Sequence, residues 1–269
     1  MRIIDSLHEI QQIEMDMLLF VDRICKEQNL RYFLAGGTLL GAVRHHGFIP
    51  WDNDVDISMP RRDYKKLLSI IAEGKTYYKI LQVKNENNYI YTYAKIVDTR
   101  TVLRENDIGY KVDGLGIYID IFPLDGIKKN NFFSRKKFMA IRKMAGIIAR
   151  SNVDMLSING KNRLFKIVIK KILKHFGRER LFNYAESLLS NNDFDKSRWI
   201  VSTYGRRKEK EIIARSAFSK CVDFQFEDYS LKGPIGYDTY LKQMYGDYLE
   251  LPPEEQRQPP HDIEAYWKV

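Results

Sequence analysis

Cysteine is scarce in this chain, with only Cys25 and Cys221 among 269 residues. A pair so far apart argues against a disulfide framework and against a structural zinc site. Long apolar runs are missing as well. No stretch reaches the roughly 18 residues that suggest a membrane span, and the N-terminus lacks a secretory signal pattern. A reducing, cytoplasmic setting is expected. Acids are nearly absent from one region: residues 128 to 180 hold 16 Lys and Arg against only Asp154 and Glu179. That block carries +14 where the whole chain carries +9, so the remainder stands at −5. Such a block suggests a polyanionic neighbour, either a membrane surface, a nucleic acid or an anionic acceptor. The rest of the composition is ordinary, 44% hydrophobic and 29% charged, and fits one domain with or without a helical appendage.

The periodicities suggest an α+β chain. Ser6-Leu7-His8-Glu9 matches a capping box, and Ile10, Ile13, Met17, Phe20, Val21 and Ile24 follow at helical spacing, giving a helix that ends near Gln28. Arg61 to Ala72 reads as a second helix. Tyr78 to Val83, Tyr89 to Val97 and Leu115 to Pro123 read as strands. Helices are then expected over Phe132 to Arg150, Arg163 to Phe176 and Glu179 to Leu189. Short strands are expected at Ile212-Ile213 and Val222 to Phe226, and a last helix over Tyr237 to Tyr245. The organisation that results is a core over 1–127, a basic helical region over 128–210, and a segment over 211–269 that folds back on the core.

The chemistry is concentrated between Gly36 and Ser58, in GGTLLGAVRHHGFIPWDNDVDIS. Asp52, Asp54 and Asp56 occupy alternate positions, so in a strand Asp54 and Asp56 project from one face. Adjacent carboxylates repel unless a cation lies between them, and Mg²⁺ is the usual hard ion for such a pair, with Mn²⁺ as the alternative. Gly36-Gly37-Thr38 follows the apolar Tyr32-Phe33-Leu34-Ala35 and precedes a helix-like stretch from Leu39 to Arg44. Strand, glycine turn and helix N-terminus together make a seat for phosphate. A phosphate seat followed by a metal-binding carboxylate pair outlines a phosphoryl- or nucleotidyl-transfer site.

These residues resemble the signature of the LicD family of phosphotransferases, which includes the fukutin-related enzymes. LLGAVRHHGFIPWDNDVDI lies at its heart. Tyr245-Gly246-Asp247-Tyr248, Leu251-Pro252-Pro253-Glu254-Glu255-Gln256-Arg257 and His261-Asp262 resemble that family's closing motif. The likeness runs from about Glu14 to the C-terminus and weakens between about Asn130 and Lys210. Asn53 stands where many members carry another acid. The resemblance implies a nucleotidyltransferase-like mixed sheet core. It also implies transfer of a substituted phosphate, often phosphocholine, from a CDP-activated donor to a hydroxyl of a cell-surface glycan or lipid-linked glycan.

Further site residues follow. Asp120, in the apolar strand Gly116-Ile117-Tyr118-Ile119-Asp120-Ile121-Phe122-Pro123, is costly there unless paired or metal-bound. It is the expected third acid, completing the metal site or taking the acceptor's proton. Asp125 reads as a turn residue. Arg44, Lys95, Arg257 and His261 are the expected cationic contacts to donor phosphate or nucleotide, Arg44 and Lys95 serving equally well to neutralise the aspartates. His45 and His46 lack metal-ligand spacing. The alternating Tyr89, Tyr91 and Tyr93 suit packing better than a choline cage. Leu164, Phe165, Val168, Ile169, Ile172, Leu173 and Phe176 form a stripe opposite Lys166, Lys170, Lys171 and Lys174. Residues 128–180 could therefore rest on an anionic membrane, at the inner face of the cell membrane. Nucleic acid fits this aliphatic stripe less well. Two other functions remain open, a nucleotidyltransferase that takes an NTP and releases pyrophosphate, and a non-catalytic binding protein.

Overall fold

The computed structural model describes residues 1–84, 88–106, 112–151, 171–173 and 175–268. Its architecture is α+β, built on a seven-stranded mixed sheet. The central strand is β7 (Tyr118–Ile127), all ten of whose residues are buried. β3 (Asp56–Pro60) runs parallel along one side of it, in the register Asp56 to Asp120. Along the other side lie β5 (Ala94–Asp98) and β8 (Trp199–Ser202), both antiparallel, one on each half of β7. β2 (Phe33–Leu34) flanks β3, β4 (Tyr78–Leu81) flanks β5, and β9 (Ile212–Ala214) flanks β8. Residues 128–210, expected to be helical, thus contribute a strand to this sheet.

The first helix, α1 (Leu7–Gln28), buries Ile10, Ile13, Met17, Val21 and Ile24 of the stripe its periodicity indicates and Leu18 besides, while Phe20 stays half-buried. Each such side chain is worth about 1.5–3 kcal/mol. Its start differs from the capping box. Ser6 makes no side-chain cap, and Glu9 instead accepts from Arg2 and from the Trp267 indole. Asn29, in the left-handed region at φ 52, ends the helix. Trp267 belongs to β12 (Ile263–Trp267), which lies between β1 (Arg2–Ile4) and β6 (Thr101–Glu105) in a separate three-stranded sheet joining the two chain ends. β10 (Cys221–Phe226) and β11 (Tyr229–Pro234) form a hairpin packed on β2.

The helices that flank the site are α2 (Gly36–Arg44), α3 (Arg61–Glu73), α4 (Phe132–Ala149), α5 (Arg178–Leu189) and α6 (Tyr237–Tyr245). The stripe from Leu164 to Phe176 lies mostly outside the described residues. The strand expected from Tyr89 begins only at Ala94. Asp125 is no turn residue: it is fully buried and takes a two-pronged ion pair from Arg61 at 2.9 and 2.5 Å. Thr203 also donates to Asp125, and Arg61 reaches Glu186 at 2.6 Å, so the pair ties α3, β7 and α5 together.

Candidate active site

The Gly36-Gly37-Thr38 turn is itself the start of α2, earlier than the spacing suggested, and each of its residues serves a carboxylate. Gly36 has φ +54, and a Cβ there would sit 2.5 Å from Asp56 Oδ2. A Cβ on Gly37 would sit 2.6 Å from Asp52 Oδ2. Only glycine admits the two carboxylates this close to the helix N-terminus, whose free amides and dipole favour negative charge. The Thr38 hydroxyl accepts from the Asp56 amide at 2.8 Å, and the Gly36 amide donates to the Tyr240 hydroxyl at 3.2 Å. Gly36 and Gly37 remain at the cavity wall, whereas Thr38 is buried and its hydroxyl is committed to the strand.

A cavity of about 370 Å³ opens over this turn, lined by Asp52, Asp54, Asp56, Arg206, Arg207 and Tyr245 among others. Asp54 lies in the loop before β3, not on the strand, yet it faces the same space as Asp56. That loop is held through its backbone. Gln11 donates to the Asp52 carbonyl at 2.9 Å, and the Asp120 amide donates to the Val55 carbonyl at 2.8 Å. Asn53 donates its side-chain amide to the His261 carbonyl at 2.8 Å, a bond that an ionised acid at this position could not make.

Crowding sets the electrostatics. Burial, then repulsion from Asp54, pushes the Asp52 carboxyl up to about 8. Burial and the charges of Asp54, Asp120 and Asp52 hold Asp56 well above the ordinary carboxylate range. Burial also works against Asp54, but hydrogen bonds from His261 and Asp52 and the charge on Arg206 outweigh it and leave Asp54 below its usual value. Beneath the cluster, Glu14 on α1 is buried, one of its carboxyl oxygens has no hydrogen-bond partner, and burial plus the four aspartates hold it well above the ordinary carboxylate range. Hard oxygen donors crowded to the point of protonation are the donor set a divalent cation would bind. Among the described residues, no three such groups already close round a metal. Mg²⁺ sites built from one or two carboxylates and completed by substrate phosphate do not need a third.

The predicted cations are placed differently from one another. His261 joins the site, with Nε2 3.4 Å from Asp54 Oδ2 and 2.8 Å from the Arg206 guanidinium. Lys95 and Asp120 form a buried ion pair at 2.8 Å. Asp120 is next to Asp56 in register but does not line the cavity, so it lacks access to an acceptor hydroxyl. Tyr91, Tyr93 and Tyr118 surround the Lys95 ammonium, with ring centroids at 4.3, 5.5 and 3.3 Å. The tyrosine run therefore cages the protein's own lysine. Arg44 turns away from the cavity: it donates to His45 and to the Tyr248 and Glu250 carbonyls at 3.2 and 3.3 Å. Arg257 holds the Pro252 carbonyl at 2.9 Å and lies over Trp51. Both arginines brace the C-terminal segment. They do not reach the main cavity. Arg44 and Trp51 instead line a second cavity of about 470 Å³, which shares Leu40, Ile49 and Tyr245 with the first.

The cations that do face the carboxylates, Arg206 and Arg207, were not foreseen. Burial opposes the charge on Arg206, but Tyr93 and the aspartates more than offset it, and the guanidinium is held above its ordinary value. Arg207 stacks on Tyr245 at 4.3 Å. They lie where the motif likeness is weakest, and no periodicity marks them. Asp52 could have been found, since it heads the alternating triplet.

A mixed sheet thus sets an acidic loop against a glycine-started helix, with Arg206 and Arg207 lining the same cavity. A family model described as "LicD/FKTN/FKRP, nucleotidyltransferase domain" matches residues 29–154. The chain is 30% identical over 271 residues to the lipopolysaccharide cholinephosphotransferase LicD of Haemophilus influenzae, covering 97% of this chain and 98% of that protein. It is 31% identical over 113 residues to an uncharacterized protein of Rickettsia typhi, covering 42% of this chain and 34% of that one. It is 46% identical over 44 residues to the human ribitol 5-phosphate transferase FKRP, covering 16% of this chain and 9% of that one. The chain belongs to the LicD family.

Proposed function

We propose that the protein transfers a substituted phosphate, phosphocholine foremost, from a CDP-activated alcohol to a hydroxyl of a cell-surface glycan or glycolipid precursor and releases CMP. The observation that carries this reading is the cavity in which Asp52, Asp54 and Asp56 face Arg206 and Arg207. It supplies both signs of charge that a metal-bound diphosphate requires. The activities that LicD and FKRP are named for, cholinephosphotransferase and ribitol 5-phosphate transferase, support it.

Asp54 and Asp56 would hold Mg²⁺, which when bound neutralises diphosphate oxygens. Arg206 and Arg207 take the non-bridging oxygens of the transferred phosphate. The acceptor oxygen bonds to the distal phosphorus, the bond from that phosphorus to the bridging oxygen breaks, and CMP leaves with its electron pair. The hydroxyl proton goes to Asp52, whose carboxylate is free to take it once a bound cation offsets the repulsion that holds this group at about 8 in the metal-free protein. His261, between Asp54 and Arg206, positions both, and the second cavity gives the rest of the donor room beside Tyr245.

Calorimetric titration with CDP-choline, CDP-ribitol, CDP-glycerol, CTP and ATP, with and without Mg²⁺, tests this reading. Mg²⁺-dependent binding of one CDP-alcohol in preference to CTP is expected and would name the donor. Preference for an NTP would overturn it in favour of a nucleotidyltransferase.

A further inference from the structure

Helix α4 carries an outward face with no packing partner among the described residues. Phe133, Lys136, Lys137, Ala140, Lys143 and Met144 fall at spacings of three and four and are all exposed, while Phe138, Ala145, Ile148 and Ala149 turn inward. Phe132 and Phe133 open the helix at 67% and 80% exposure and pack edge to face on each other, 5.7 Å apart. Two neighbouring phenylalanines left in water forgo burial that a soluble protein normally takes. No acid occurs anywhere between Asp125 and Asp154, whereas Lys128, Lys129, Arg135, Lys136, Lys137, Arg142, Lys143 and Arg150 do. Among the described residues the carboxylate that meets this face is Glu209, 3.7 Å from Lys136 in an exposed pair of small energetic weight.

We infer that this face of α4 docks on an anionic lipid bilayer, with Phe132 and Phe133 entering the interface and the lysines lying among the headgroups. Aromatic side chains at the boundary and basic residues beside them are what an interfacial helix requires, and neither signal alone holds a protein there. A nucleic acid would stack on open ring faces, but these two rings are turned against each other. The helix also reaches the catalytic cavity. Arg142 donates to the Gly205 carbonyl, and the next residue, Arg206, lines that cavity. A docked α4 therefore sets the phosphate-binding loop at a fixed distance from the lipid surface, where a lipid-linked acceptor would present its hydroxyl. The inference rests on the exposed face and stands whether or not the donor is a CDP-alcohol.

Flotation of the full chain with vesicles of phosphatidylcholine, with and without phosphatidylglycerol, tests it. The wild type should bind only the anionic vesicles. The double variant Phe132→Ser/Phe133→Ser should lose more than about tenfold in partitioning. Lys136→Gln, Lys137→Gln and Lys143→Gln should each lose about fivefold, at roughly 1 kcal/mol per basic residue near the surface. All four variants should melt as the wild type does and bind nucleotide equally well, because none of these side chains is buried or lines the cavity. Two results would overturn the inference: equal binding to neutral vesicles, or an unchanged partition for the phenylalanine variant. So would tight oligonucleotide binding abolished by the same substitutions, which would assign the face to nucleic acid.

Discussion

Asp52 should make the metal-free protein lose stability as the pH rises toward 8. Its carboxyl is buried to 9% exposure beside Asp54 and is held at about 8, whereas in the unfolded chain it titrates near 3.8. A folded value above the unfolded one means that the native state holds a proton the unfolded state has lost. The stability this represents is present below 3.8 and is lost as the pH climbs to about 8. Between pH 5.5 and 8 the cost at 1.36 kcal/mol per pH unit is roughly 3 kcal/mol. Asp52→Asn keeps the shape, including the fit against Gly37, and removes the titration. Urea unfolding at the two pH values should show the wild type losing roughly this much more stability than the variant, in which Asp56 and Glu14 still titrate. Saturating Mg²⁺ should shrink the wild-type loss, since a cation offsets the repulsion that keeps the proton on. A metal-free wild type as stable at pH 8 as at pH 5.5 would refute the reasoning.

Arg61→Met should destabilise the fold by about 3–5 kcal/mol in urea unfolding, because it leaves the buried Asp125 without its guanidinium partner; a loss under about 1 kcal/mol would show the pair to be dispensable. Arg206→Gln should lower turnover by about a hundredfold or more with little change in melting temperature, as removal of a preorganised phosphate contact does. Arg44→Gln, by contrast, should lower stability before activity, as its guanidinium serves the 248–250 backbone. Cys25 is buried, with its thiol pushed up to about 12, so a thiol-reactive dye at pH 8 should label it only after unfolding.

The sequence located the carboxylates well because their spacing and the glycines before them are local. The α1 stripe, the parallel register that sets Asp56 beside Asp120, and the C-terminal return of His261 all serve residues whose type already announced them. Failures came where long-range contacts decide. Arg44 looks like a phosphate ligand from its distance to the glycine turn, but helix geometry carries it to the far end of α2, where backbone carbonyls of residues 248 and 250 take its charge. Asp125 looks like a turn residue from its Pro-Leu-Asp-Gly setting, yet Arg61, sixty-four positions earlier, draws it into the core. The alternating tyrosines suggest a strand, but the chain bends there and sets Tyr91 and Tyr93, with Tyr118 of β7, round Lys95. Arg206 and Arg207 carry no local signature, since only the pairing of β8 with the end of β7, and of β9 with β8, brings their connecting loop to the aspartates.

The central claim is that Asp54 and Asp56 engage the donor's diphosphate through a divalent cation while Arg206 holds its far side. Calorimetric binding of CDP-choline by the wild type, Asp54→Asn, Asp56→Asn and Arg206→Gln, each with and without Mg²⁺, tests it most directly. Wild-type binding should depend on Mg²⁺. The two asparagine variants should lose that dependence while melting at or above the wild-type temperature, and Arg206→Gln should bind more weakly yet still respond to the metal. Unchanged Mg²⁺-dependent binding in Asp54→Asn and Asp56→Asn would contradict the assignment of this cavity.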